Sequence, residues 1–336
     1  MTNPTRVTLQ DVALSLNLPL DQVTKVILGQ PGVPDDIRRS VFGALEQAGI
    51  VRLSKESATT GTINVAIPGA VVGDYIGEVV RGVTETAKER GYGVALYIEN
   101  STKEADLVRL LEAPKCVGMI MVVPNLYERL LALCEEFGQE YVLVDHQGED
   151  APSEILTVEV KNRESIVRVM NHLFEFGHRR IGFITGNRVV ASARQRFQGY
   201  LDALEEAGIP FDAELVGEGN WLHARAYELA QALLDLDQPP SAIVASNDLS
   251  AFGAMQATRE RGLNVGKDIS ITGFDDIDMA ATVTPSLTTV RQPMFRMGEA
   301  AVEMLIKRSR GEKVARRHVQ LDTELIVRQS TAALRR

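Results

Sequence analysis

From Thr62 onward the chain repeats one rhythm, a short apolar run followed by an amphipathic stretch, and parallel sheets with helical crossovers are what satisfy it. TINVAIP (62–68), GVALYI (93–98), VGMIMVV (117–123) and YVLV (141–144) read as strands buried on both faces. Residues 75–90 place Ile76, Val79, Val80, Val83 and Ala87 on one helical face, and Gly91 stops that helix. The rhythm restarts with RIGFIT (180–185), AELVG (213–217), SAIVAS (241–246) and ISITGF (269–274), alternating with helices near 192–207, 222–236 and 248–261. Two arrays of four or more strands exceed what one sheet usually holds, so we expect two doubly wound domains side by side. A late helix, 293–310, carries Met297, Ala300, Ala301, Met304 and Leu305 on one face, and strand-like RHVQLDTELIVRQS follows it. These leftovers can complete either sheet, which predicts a chain that crosses between domains more than once and so forms a hinge.

Residues 1–50 have another texture, with no strand signal and three short helical patterns. VTLQDVALSLN offers Thr8 as an N-cap with Asp11 three residues on, a second helix runs from Leu20 to Leu28, and a third, Pro34 to Gln47, opens with Pro-Asp-Asp. So small a module buries little on its own, and its usual task is to place one helix against a partner.

Charge narrows that partner. The 336 residues carry a net charge of −9, yet the first 60 hold six basic and six acidic side chains, so all the excess negative charge lies in the body. A broad basic face for nucleic acid is therefore excluded there, and any DNA contact falls to the N-terminus. The longest apolar stretch, Cys116 to Pro124, is too short to span a bilayer, and the N-terminus lacks an export signal. Two cysteines make no disulfide framework, and the cytoplasm is the expected compartment. Gly217-Glu218-Gly219 lacks the third glycine of a dinucleotide fingerprint, and Gly91-Tyr92-Gly93 precedes its strand instead of following it. Without a phosphate loop or a nucleophile elbow, and with five histidines (His146, His172, His178, His223, His318) outside any ligand spacing, we expect no enzyme, no cofactor and no metal site.

The segment VTLQDVALSLNLPLDQVTKVILGQPGVPDDIRRSVFGALEQAG resembles the helix-turn-helix of the lactose repressor (LacI) family of transcription regulators, with Val7, Thr8, Asp11, Val12, Ala13, Val23, Val26, Gly29, Val33, Arg38 and Ala44 at that motif's positions. The likeness continues through RGVTETAKERGY (81–92), LFEFGHRRIGFITG (173–186), RFQGYLDAL (196–204), ASNDLSAFGA (245–254), ITGFDDI (271–277), TPSLTTVRQP (284–293) and ELIVRQST (324–331). It implies an α/β fold class: a three-helix DNA-binding headpiece (1–49), a hinge (50–61) and a two-lobed body similar to periplasmic binding proteins. One lobe would be 62–161 plus 293–320, the other 162–292 plus 321–331. The implied partners are operator double-stranded DNA, a sugar-like small effector held between the lobes and a second copy in a homodimer, with no membrane; the implied role is repression.

By the same resemblance Thr8, Leu20, Asp21, Gln22, Thr24 and Lys25 are the DNA-facing residues. Lys25 suits guanine or a phosphate, Gln22 adenine or a phosphate, and Asp21 only cytosine. The chain departs from the family at Asn17, Pro19 and Leu28, and its headpiece is neutral where others are basic. The hinge IVRLSKESATTGT is shorter than usual and leaves Leu53 as the only leucine for a minor-groove wedge. An alternative is a ligand sensor of the same fold whose DNA reader has decayed. For the effector, the family pattern places Tyr75, Asp145, Arg196, Trp221, Asn247 and Asp275 at strand ends beside the cleft. The charged and amide groups can exchange paired hydrogen bonds with neighbouring hydroxyls, and Tyr75 or Trp221 can stack on a sugar face. An interlobe salt bridge is the other use for Arg196. Lys161 stands where the family has Asp, either as a cationic ligand contact or as a change in the crossover.

Overall fold

A computed structural model describes residues 60–68, 73–98, 104–113, 115–123, 127–146 and 154–334, together with positions 13, 15, 16, 18, 19, 22, 23, 26, 33, 34, 36, 37, 40, 41 and 44. The chain divides into two compact units, 1–59 and 60–336. In the first, Ala13, Val23, Val26, Val33 and Val41 are buried together, with Leu16, Leu18, Ile37 and Ala44 packed on them. Helical positions fall in the three stretches the sequence indicates. Pro19, which has no N–H to leave unpaired, opens the middle one: its carbonyl accepts from the Gln22 and Val23 amides at 3.0 and 3.3 Å.

In the second unit the strands are, in chain order, β1 (Thr62–Ile67), β2 (Gly93–Ile98), β3 (Cys116–Val122), β4 (Tyr141–Val144), β5 (Leu156–Val160), β6 (Ile181–Thr185), β7 (Val216–Glu218), β8 (Ala242–Ala245), β9 (Ser270–Thr272), β10 (Thr289–Arg291), β11 (His318–Leu321) and β12 (Glu324–Ile326). The helices are α1 (Asp74–Glu89), α2 (Glu104–Leu111), α3 (Tyr127–Glu136), α4 (Asn162–Glu175), α5 (Ala191–Glu206), α6 (His223–Leu234), α7 (Asp248–Glu260), α8 (Asp278–Thr282) and α9 (Met294–Ser309). One sheet runs β11-β5-β4-β3-β1-β2 and another β7-β6-β8-β9, every pairing parallel. An antiparallel pair, β10-β12, joins the second sheet's edge through parallel bridges Thr272–Thr288 and Asp275–Arg291.

Helix α9 belongs with the first sheet, because it crosses α1 where Gly82 and Gly298 let the backbones touch. A methyl on Gly82 would lie 2.1 Å from the Phe295 carbonyl oxygen, and one on Gly298 2.2 Å from that of Val79. The chain thus passes between sheets three times: after β5, between β10 and α9, and between β11 and β12. The first and third passages are laced together. Lys161 donates its amide to Leu321 at 3.1 Å and its ammonium to Asp322 at 2.7 Å, while the Ser165 and Thr323 hydroxyls meet at 2.6 Å.

RHVQLDTELIVRQS supplies two strands, β11 and β12, which lie in different sheets with the passage at Asp322 and Thr323. Two sequence readings need correction. GVALYI is not buried on both faces, since β2 is an edge strand and Leu96 is 49% exposed. AELVG begins as a tight helical turn, 213–215, because the Asp212 carboxylate accepts the Glu214 amide at 3.0 Å and closes the chain before β7 starts.

Candidate functional site

Strands of both sheets end on one cavity of about 360 Å3, within the size range of small-molecule sites. Tyr75, Asp145, Arg196, Trp221, Asn247 and Asp275 all line it. Asp145 follows β4, Trp221 lies just past β7, Asn247 just past β8 and Asp275 just past β9, so the second-sheet residues and Asp145 come from strand C-terminal ends. Tyr75 comes from the first turn of α1 and Arg196 from the second turn of α5. Local backbone strain marks the same place. Of six non-glycine residues with positive φ among the described residues, five line the cavity: Val123 (44°), Asp145 (54°), Asn220 (53°), Trp221 (65°) and Asp275 (123°). A β-branched valine in that region is costly, and such strain persists only where the surrounding fold dictates it.

Arg196 is the centre of the polar wall. It is 3% exposed, and its guanidinium carbon sits 3.6 Å from the Phe274 ring centroid and 5.2 Å from that of Trp221. Nε donates to Asn162 Oδ1 at 2.8 Å and Nη1 to the Ser246 carbonyl at 2.5 Å. The aromatic face and these acceptors offset part of the cost of burying the cation, and the nearby Asp275 and Asp145 carboxylates offset more. Burial alone still draws its pKa down. The interlobe salt bridge is not what forms; a neutral amide and a carbonyl take that place.

Asn247 caps α7, its Oδ1 accepting the Ser250 amide at 2.9 Å, and its Nδ2 donates to the Trp221 carbonyl at 3.3 Å. Asp275 accepts from Gln292 Nε2 at 2.7 Å. Burial pushes the Asp275 carboxyl up to about 7; Arg196 and Gln292 pull it back, and Asp145 and Asp74 raise it further. Asp145 is also raised, first by burial, against the opposing pull of Arg196 and Ser192. Behind the wall Asp248 accepts from Thr289 at 2.5 Å and from the Ile277 amide at 2.9 Å, and burial beside Asp275 holds its pKa well above the ordinary range. The Tyr75 hydroxyl is buried without a hydrogen-bond partner, and burial followed by the Asp145 charge lifts its pKa well above the usual value.

Several lining or supporting residues carried no sequence prediction. Gly186 ends the β6 segment, and a methyl there would lie 2.1 Å from the Trp221 ring, so its bare backbone is the floor on which the indole rests. Gln292 and Asn162 sit at passages between the sheets and orient Asp275 and Arg196. His223 stands exposed at the cavity rim, whereas His172 and His178 bond Thr331 and Ser241 at 3.0 and 2.9 Å. Lys161 does not line the cavity; its ion pair with Asp322 is part of the crossover. Of the DNA-facing candidates only Gln22 is described, half-buried beside buried Val23. Thr8, Leu20, Asp21, Thr24, Lys25 and Leu53 lie outside the described residues.

Comparison with known proteins gives one consistent outcome. A periplasmic binding protein-like domain family matches residues 170–331. The HTH-type transcriptional repressor CytR of Escherichia coli (strain K12) is 31% identical, the alignment covering 98% of each chain. The HTH-type transcriptional repressor PurR of Aliivibrio salmonicida is 28% identical over 97% of this chain and 99% of its own. Among solved structures, a complex of the transcriptional regulator CelR with cellobiose superposes with a TM-score of 0.74 at 26% identity, covering 97% of this chain and all of that one.

Proposed function

Because this chain belongs to the lactose repressor (LacI) family of transcription regulators, we propose that its body closes on a sugar or sugar derivative and thereby sets the grip of its headpiece on operator DNA. It is a ligand-controlled DNA-binding regulator, of a kind with repressors and not with enzymes. The lobes are 62–161 plus 293–320 and 162–292 plus 321–331, preceded by a headpiece (1–49) and hinge (50–61), and the protein works as a homodimer in the cytoplasm, where its DNA is. Thr8, Leu20, Asp21, Gln22, Thr24 and Lys25 read or position the operator, with Leu53 as the wedge.

The observation that carries the effector half is the convergence of Tyr75, Asp145, Arg196, Trp221, Asn247 and Asp275 on one cavity. Two of its charges are bonded to residues at the passages between sheets, Arg196 to Asn162 and Asp275 to Gln292. An effector that pulls on either charge therefore pulls on the hinge, which is how a small contact becomes a change in lobe angle. Fluorescence anisotropy of the full chain against DNA from its own promoter region, at low and moderate salt and with and without sugars, tests the reading. A sequence-specific complex whose affinity a sugar shifts is expected. Specific binding absent under every condition would leave a sensor with a decayed reader.

A further inference from the structure

The body's net negative charge rules out a broad basic face, but it hides a narrow one. Residues 307–318 hold Lys307, Arg308, Arg310, Lys313, Arg316 and Arg317 against a single acid, Glu312, and all of these are exposed. Structural uses account for part of the strip. Lys307 and Arg308 fill the last turn of α9, where the helix dipole favours cations. Arg308 pairs with Glu140 at 2.9 Å, Arg310 with Glu312 at 3.9 Å and Arg317 with Glu154 at 3.7 Å. Lys307, Lys313 and Arg316 have no ion-pair partner among the described residues, and the last two lie past the helix end, beyond the reach of its dipole.

Position gives the strip its meaning. The strands of the first sheet are all parallel, so they begin at one end, while cavity residues Val123 and Asp145 lie past the other. Helix α9 returns to the starting end. Arg308 bonds Glu140, the residue before β4, and Arg310 Nη2 donates to the Tyr92 hydroxyl at 3.1 Å, just before β2. The Arg317 carbonyl accepts the Thr157 amide at 2.8 Å, at the start of β5. Residues 1–59 attach at this same end, because the Thr60 amide donates to the carbonyl of Gly91, the neighbour of Tyr92, at 2.8 Å and β1 follows at Thr62. The link 50–60 spans about 40 Å at most. The first 60 residues are neutral, so on their own they neutralise few phosphates.

Resting on the reading of this chain as a DNA-binding regulator, we propose that residues 307–317 form a second, sequence-independent DNA contact. Lys307, Lys313 and Arg316 lie on the phosphate backbone of the duplex that the headpiece reads, and supply affinity that a neutral headpiece lacks. Such contacts fix register and orientation without reading bases. The acidic remainder of the body repels the duplex, so the strip also selects the end of the lobe that approaches it.

The test is fluorescence anisotropy of the full-length protein on two labelled duplexes, DNA from its own promoter region and a random sequence of the same length, between about 50 and 200 mM salt. Each phosphate contact costs about 3.5-fold in affinity over that range, so the triple variant Lys307→Gln, Lys313→Gln, Arg316→Gln should lose about 40-fold less than the native protein on both duplexes. It should also bind more weakly at the low end, with an unchanged melting temperature. The charge-keeping variant Lys307→Arg, Lys313→Arg, Arg316→Lys should show the native slope. Arg225→Gln, Arg259→Gln, Lys267→Gln removes equal charge from exposed positions on the second-sheet side and should also keep that slope. A native slope in the first variant overturns the proposal and leaves the strip to an acidic protein partner. An equal flattening in the third overturns it as well, by assigning the effect to net charge alone. If the native protein binds neither duplex at the lowest salt, the DNA-binding reading itself falls and the strip's role falls with it.

Discussion

On the second-sheet side of the cleft Arg196, Asn247 and Asp275 each hold protein partners at 3.3 Å or less, whereas across the gap the buried Tyr75 hydroxyl holds none. The engaged wall is rigid before any ligand arrives, since its side chains are bonded to strand-end backbone, to helix α7 and to the passages between sheets. The opposite wall carries an unmet hydrogen bond, which a net cost of about 1–3 kcal/mol makes worth satisfying. The difference implies an order of events: the ligand docks on the pre-bonded wall at little ordering cost, and closure then gives Tyr75 its partner.

Arg196→Ala attacks the rigid wall at its centre and should have the largest effect. It strips partners from Asn162 and Ser246, uncovers Phe274 and leaves the Asp275 and Asp145 carboxylates without their cation, all in a buried site. A stability loss of about 3 kcal/mol and the disappearance of effector binding are expected, read by thermal melting and calorimetry. Normal affinity in this variant would mean the wall is not pre-organised through Arg196. Gly186→Ala acts through one ring. The new methyl, 2.1 Å from the indole, forces Trp221 away from its floor, so affinity should fall by about 10- to 100-fold, with shifted Trp221 emission in the unliganded protein and a smaller melting change than in Arg196→Ala.

The rigid wall is also where sequence reasoning ran short. Periodicity located the strands, and strand ends together with family spacing brought Tyr75, Asp145, Arg196, Trp221, Asn247 and Asp275 to one cavity, because residues that touch a ligand carry recognisable chemistry at recognisable places. Asn162, Gln292 and Phe274 touch it chiefly through Arg196 and Asp275, and their job is set by contacts across more than a dozen positions of chain that no local pattern encodes. Gly186 was within reach, since RIGFITG ends at a strand terminus where bare backbone admits a ring. β2 misled because an edge strand keeps the apolar composition of a central one, and 213–215 misled because the Asp212 cap outweighs the alternation that follows.

Burial raises a carboxyl on each wall, Asp145 and Asp275. Burial pushes Asp275, faced by Arg196, Asp145, Asp74 and Asp248, up to about 7, far above a carboxyl in the unfolded chain. Between about pH 4 and 7 the native state therefore binds a proton that the unfolded chain has released, and this contribution to the stability of the unliganded protein is lost as pH rises through that window. Effector binding should run the opposite way, since a hydroxyl donates best to the ionised carboxylate: affinity should weaken about tenfold from pH 8 to pH 6. Melting curves and titrations of the native protein beside Asp275→Asn isolate both slopes, which the variant should flatten. Equal pH dependence in the two proteins would assign the proton elsewhere.

Tyr75→Phe is the smallest change and the most direct on the open wall. Its hydroxyl makes no hydrogen bond in the unliganded protein, so removing it should leave the melting temperature unchanged or slightly raised, because a buried polar group without a partner is a liability. Affinity for the effector should nevertheless fall by about fivefold, the worth of one neutral hydrogen bond, and the loss should appear mainly in the dissociation rate, since docking on the Arg196 side precedes closure. Stopped-flow measurement of Trp221 emission separates the two rates. A loss confined to the association rate would put Tyr75 in the first encounter and reverse the order of the walls, and a fall in melting temperature would show that the hydroxyl is already satisfied before any ligand binds.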